Sequence, residues 1–220
     1  NAANGTTYVA PDNTTYSFPS SIVLPKGQSQ AYVHVTIKTS PSFDFSASYA
    51  LPLTITSASS ATVSPNMGSE INIFGVENMY DGAYTLKLQT TGWGSFGISD
   101  GDPGTFSVPV DMVTAGANSV SFYSSASGAN MPALTAGNAG ATGFGATTPQ
   151  ITFDPATNKI VSVINTTADD GRGRTLYLNP AITDSRYDPS SKTIYAAYIM
   201  TQKGRPLQYV YDTLIYKGSR

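Results

Sequence analysis

The chain has no cysteine, one histidine, one tryptophan and only two glutamates, Glu70 and Glu77. The first absence excludes disulfides, thiol chemistry and thiolate-held metals, and it leaves the redox compartment open. Charge is scarce too. Asp, Glu, Lys and Arg make up 12% of the 220 residues, about half the usual globular share. With a net charge of −2 and no run of Lys or Arg, the sequence carries no electrostatic footprint for nucleic acid or an anionic membrane. No apolar run approaches the roughly 20 residues of a membrane helix. No signal peptide is present, so the chain as it stands reads as cytosolic or already trimmed. Thr, Ser, Ala, Gly, Asn and 14 tyrosines fill the composition instead, with 40% hydrophobic residues, enough for a packed core. That is the texture of secreted β-rich binding proteins.

Apolar periodicity is almost everywhere two, which predicts strands. In QAYVHVTIK, Val33, Val35 and Ile37 share one face, and in YALPLTIT Leu51, Leu53 and Ile55 do the same. Pro52 removes a ladder donor and implies an edge or a bulge. EINIF predicts a short strand with Ile71 and Ile73 inward. After GVEN the pattern restarts, with strands expected in YDGAYTLKLQT, TFSVPVDM, NSVSFY, QITF, KIVSVIN, TLYL, TIYAAYIM and LQYVYDTLIY. About eight short strands joined by turns fit an antiparallel barrel or sandwich. Residues 1–76 are therefore read as one β-domain and 77–220 as a second. The first supplies only four convincing strands, few for a sandwich core, so strands preceding Asn1 are expected to be missing, or the region to lean on its neighbour. Ser124 to Pro149 is too long and too rich in Gly and Ala for an ordinary connection and reads as a surface loop or lid.

Candidate chemistry is thin. His34 lies on the polar face of its strand without partners at ligand spacing and reads as a surface histidine. Asp100 and Asp102 in SDGDPG, and Asp169 and Asp170 in ADDGRG, sit in turn contexts, where Asp usually bonds its own backbone. Calcium at Asp100 and Asp102 is an alternative, although the spacing of a calcium loop is missing. FDPATNKI and YDPSSKTI rhyme, and Asp-Pro after an aromatic strand end predicts a turn in each. The three Asn-x-Ser/Thr sequons, at Asn4, Asn13 and Asn165, carry no weight in so Asn- and Thr-rich a chain. Aromatic residues are the better lead. Trp93, in TTGWGSFG, stands between glycines past a strand end, where it either stacks exposed on a sugar ring or plugs a barrel end. Phe96, Tyr123, Phe144 and Tyr177 are secondary ligand-binding candidates. No catalytic residue, metal or cofactor is assigned.

The stretches YSFPSSIVLPKGQSQAYVHVTI and YALPLTITSASSATVSPNMGSEINIF resemble the domain of unknown function 1735, a β-sandwich module of Bacteroidetes cell-surface lipoproteins. The turn from Ile22 to Gly27 and the strand from Tyr49 to Ile55 carry the likeness. Glu77 to Tyr84, FDPATNKIVSVIN, RYDPSSKTIYAAYIM and the terminal YKGSR are similar to the lipocalin-like domain that follows in such proteins. The resemblance implies an all-β chain, a partial Ig-like β-sandwich followed by an antiparallel lipocalin-like β-barrel. It also implies a lipid anchor on the extracellular face of the outer membrane and a role in polysaccharide uptake. Its motifs are structural and specify no active site.

The first functional expectation is thus a non-catalytic glycan-binding lipoprotein, with outer-membrane transporter proteins as further partners and no nucleic acid. The alternative is a structural accessory subunit of an uptake complex or surface assembly. A glycan hydrolase would need two carboxylates flanking one cleft. A small hydrophobic ligand inside the barrel would need a lumen that eight strands do not guarantee.

Overall fold

A computed structural model of the chain describes residues 7–38, 40, 42–96, 107–124, 134–135, 142–143 and 147–220. Phe144, Asp100 and Asp102, and with them the calcium reading, lie outside those residues, as does most of the long Gly/Ala segment. The protein is all-β and divides into two compact units, Asn1–Val76 and Glu77–Arg220.

In the first unit, β1 (Tyr8–Val9), β4 (Ser48–Thr54) and β5 (Ser69–Phe74) form one sheet, while β2 (Tyr16–Ser17) and β3 (Thr36–Ile37) form a two-stranded ribbon. Tyr49 pairs in register with Phe74, which puts Tyr49, Leu51 and Phe74 on one face. Phe43 joins them, edge-on to the Tyr49 ring at 5.1 Å, with Phe74 stacked on Tyr49 at 5.5 Å. The same register sends Ile71 and Ile73 to the opposite face beside Pro52 and Ala50, where both are exposed. The expectation that these isoleucines point inward is therefore corrected, because a one-residue difference in register reverses the face of every side chain on a strand. Ile55 is also exposed, and QAYVHVTIK pairs only over Thr36–Ile37, leaving Tyr32, Val33 and Ile37 in solvent. A two-stranded ribbon has no second layer to bury its apolar face. Pro52 is accommodated as the sequence predicts. The Ile55 N–H donates to Gly68 O, so the odd-numbered residues of β4 aim their donors at β5. The missing Pro52 donor falls on the other side, where β1 reaches only Ser48 and Tyr49.

The second unit is a nearly closed antiparallel barrel. Its strands are β6 (Gly82–Thr91), β7 (Ser107–Gly116), β8 (Ser119–Tyr123), β11 (Pro149–Phe153), β12 (Ile160–Asn165), β13 (Thr175–Leu178), β14 (Arg186–Asp188), β15 (Thr193–Thr201) and β16 (Gln208–Gly218). Two short strands, β9 (Leu134–Thr135) and β10 (Thr142–Gly143), pair only with each other. The order around the sheet is β12-β11-β8-β7-β6-β16-β15-β13, with β14 also on β15. β13 and β14 are two halves of one interrupted stave, both antiparallel to β15. The ring is closed through the second half. Ile160 N–H donates to Ser185 O at 3.0 Å and Tyr187 N–H to Asn158 O at 2.8 Å, around the bridge of Lys159 with Arg186. All eight segments that the period-two pattern marked in this region form its staves.

The two rhyming stretches fold alike. Asp154 accepts the Ala156 N–H and the Thr157 hydroxyl, and Asp188 accepts the Ser190 N–H and the hydroxyls of Ser190 and Ser191. In each, the residue four positions after the aspartate, Asn158 or Lys192, takes a left-handed conformation, with φ of 58° and 51°. Both are turns that re-aim the chain into the next strand.

Candidate functional site

The barrel is solid among the described residues. Side chains at alternate positions point inward, and Leu86, Leu88, Met112, Ile151, Ile194 and Leu214 are all fully buried. One end is stoppered before β6 begins. The Tyr80 ring stacks on Phe153 with centroids 3.9 Å apart, Tyr187 packs edge-on at 5.0 Å, and the Tyr84 hydroxyl donates to Tyr80 O at 2.9 Å. Burial holds the Tyr80, Tyr84 and Tyr187 hydroxyls above their usual range.

The other end is stoppered by Trp93. Gly92 makes this possible. It sits at φ of 84°, and a Cβ there would meet Leu207 O at 2.5 Å, so only glycine lets the chain fold back under the rim. The following turn, Trp93–Phe96, drops the indole into the barrel with no solvent exposure and its Nε1–H 3.4 Å from Tyr209 O. Trp93 is thus a plug, and the expected exposed platform is corrected. The ring of Phe96 lies 5.9 Å from the indole, part-buried, with the Arg205 guanidinium over it at 5.1 Å. Tyr123 is half-buried on the outer face of β8, opposite Asp111, and Tyr177 is exposed on the outer face of β13, opposite Ile199. Among the described candidates Trp93 and Phe96 come together, while Tyr123 and Tyr177 stand on the outer faces of two different strands.

Between the stoppers lies one polar pair. Asp212 Oδ2 accepts the Tyr198 hydroxyl at 3.0 Å, and Oδ1 has no partner among the described residues. The register partners of Asp212 are Ala196 and Leu88, and no cation pairs with the carboxylate among the described residues. Burial pushes it up to about 7, against the lowering effect of the Tyr198 bond. Burial first, then the nearby Asp212 charge, raises the tyrosine well above its usual value. Alternation in YVYDTLIY places Asp212 on the face of Val210 and Leu214, so a carboxylate in the core was visible in the sequence but passed over.

Other aspartates are occupied. Asp81 accepts Arg220 Nε at 2.8 Å and the Thr114 N–H and hydroxyl at 2.6 and 2.8 Å. Asp169 and Asp170 accept backbone N–H groups of their own turn. His34 is exposed, and no group of three metal-binding side chains gathers among the described residues.

The second feature that the sequence reading passed over is on the outside. In β16, Tyr209 and Tyr211 alternate with the inward Val210 and Asp212, and both stand half-buried on the outer face. Tyr209 pairs with Ile199, which pairs with Tyr177, and Tyr211 pairs with Ala197. The signal was the pair of tyrosines two positions apart in LQYVYDTLIY.

Residues 1–62 match a protein-family model described as a “-like, N-terminal domain”. No curated protein matches the chain. A solved structure from Bacteroides ovatus, described as structural genomics, unknown function, aligns over 96% of this chain and 72% of its own, at 15% identity and a TM-score of 0.46.

Proposed function

We propose that the chain is a non-catalytic glycan-binding protein of a bacterial cell surface, held to the outer membrane by a lipid anchor outside this sequence and acting in polysaccharide uptake. The solid interior of the barrel is the observation that carries this reading. Trp93 at one end and Tyr80 at the other leave no lumen for a small hydrophobic ligand among the described residues, so binding belongs to the outer surface. The chain as a whole is poor in charge and rich in tyrosine, threonine and serine, a chemistry suited to neutral hydroxylated partners. The lipocalin-like resemblance then describes a scaffold rather than a carrier. Affinity electrophoresis of the full chain through gels containing neutral polysaccharides is expected to show retardation by at least one of them. Unretarded migration in every gel, with blank glycan arrays, would overturn the reading.

A second reading, an accessory subunit of an uptake complex, is favoured by the first unit, where Val23, Ile71 and Ile73 stand exposed. Pull-down of a transporter protein together with blank glycan arrays would support it.

A further inference from the structure

We propose that the outer face of β13, β15 and β16 is the surface that binds a neutral polysaccharide chain, with Tyr177, Tyr209 and Tyr211 as its stacking side chains. The proposal rests on the glycan reading above and names where the sugar sits. Register fixes the layout. One row across the strands reads Thr91, Tyr209, Ile199, Tyr177, and the next reads Gln89, Tyr211, Ala197. Neighbouring strands lie about 4.8 Å apart, so Tyr209 and Tyr177 rise on either side of Ile199 about 10 Å from each other, with Tyr211 about 7 Å along the strand. Ile199 points outward between Tyr209 and Tyr177, and Ala197 between Tyr211 and the chain at Asn179 and Ser185; each is only 4% exposed, covered by its neighbours. The tyrosine rings are therefore the outermost groups of these two rows.

Most of the other tyrosines of this unit are engaged elsewhere. Tyr80, Tyr84, Tyr187 and Tyr198 are spent on the stoppers and the buried pair, and Tyr195 and Tyr216 lie under Arg186 and Lys192 at 4.7 Å. Tyr177, Tyr209 and Tyr211 have neither a ring partner nor a hydrogen bond to their hydroxyls among the described residues.

Charge selects the partner. The two rows contain no ionisable side chain other than tyrosine. Lys87 and Arg186 enter only in the following row, with Thr213 and Tyr195 between them. A surface without charge offers nothing to nucleic acid or an acidic polymer. It also lacks the Arg, Met, Trp or Phe anchors that dominate protein interfaces, while Tyr rings with free hydroxyls, beside Gln and Thr, suit the apolar faces and hydroxyls of sugars.

The test uses the full chain in affinity gels and titration calorimetry with a panel of neutral glucan, xylan, mannan and galactan. Tyr177→Ala, Tyr209→Ala and Tyr211→Ala are each expected to weaken binding about two- to tenfold, and the triple variant to abolish retardation. Tyr→Phe at the same positions should keep most of the affinity because the ring remains. These side chains point away from the core, so unchanged circular dichroism is expected, with a lowered thermal midpoint from lost cross-strand packing that leaves the variants folded at the assay temperature. Retention of wild-type affinity by the folded triple variant would overturn this surface and leave the glycan reading standing. Failure of the wild type to bind any polysaccharide in the panel, or capture of a protein partner that the triple variant loses, would overturn both.

Discussion

Asp212 is the residue with the most unusual balance of forces in this protein. Its carboxyl titrates near 7 in the fold, raised by burial from 3.8. Between about pH 4 and pH 7 the unfolded chain releases this proton while the folded chain keeps it. The folded state therefore binds more protons, and stability falls as pH rises through that window, levelling off above about 7. A shift of about three units corresponds to a cost on the order of 4 kcal/mol. Asp212→Asn keeps an acceptor for Tyr198 and removes the charge, so urea midpoints at about pH 5 and about pH 8 should converge in the variant and differ in the wild type, with the wild type weaker at the higher pH. Equal wild-type midpoints would defeat this account. Asp12, Asp44, Asp154 and Asp188 do not mask the effect, because hydrogen bonds from nearby Thr or Ser lower them and their contribution changes only below about pH 4. Trp93 teaches a related lesson at the same scale. Glycines beside a tryptophan suggested exposure, but Gly92 is there to let the chain double back and bury it.

Among the elements, the eighth stave shows how the barrel closes. A continuous strand would run from Thr175 to Asp188, but the chain leaves the ladder after Asn179, whose N–H still donates to Ala197 O at 3.0 Å, and Ser185 re-enters with its hydroxyl accepting the Ala197 N–H at 3.1 Å. The paired turns at Asp154 and Asp188 set where β12 and β15 begin. Each aspartate satisfies local donors, so Asp154→Ala and Asp188→Ala should each lower the chemical-denaturation midpoint slightly while polysaccharide binding stays unchanged. A loss of binding without a loss of stability would instead reveal them as part of a site. Strand existence here was legible because period-two alternation survives in every stave. The interruption was not, since Asn179 to Ser185 looks like any polar turn until its two flanks are seen on one partner strand.

For the whole of the second unit, the first and last segments are tied by the ion pairs of Arg220. Arg220 Nε meets Asp81 Oδ1 at 2.8 Å, with Glu77 at 3.7 Å, and the Asp81 side chain is only 2% exposed. The Asp81 hydrogen bond, then its charge, holds the arginine above its usual range despite partial burial. Arg220→Ala would leave a buried carboxylate with Thr114 as its remaining partner. The expected cost is about 2 kcal/mol, reduced from that of a fully buried pair because the arginine is partly solvated, and a urea midpoint measures it. An unchanged midpoint would show the carboxylate to be satisfied without the arginine. In the first unit the sequence pattern gave the opposite face of β5, because two isoleucines outweigh one phenylalanine in a period-two count, whereas Phe43 and Tyr49 draw Phe74 inward.

What the sequence by itself determined is the all-β class, the eight staves of the second unit and the two Asp-Pro turns, because alternation and turn chemistry are local properties. Which aromatic rings are buried and which are free was decided only by the tertiary structure. Closing the sheet sent Trp93 and Tyr80 inside, and strand register set Tyr177, Tyr209 and Tyr211 side by side from segments separated by more than two dozen residues in the chain. Register depends on every pair along a ladder at once, and no single stretch of sequence contains it.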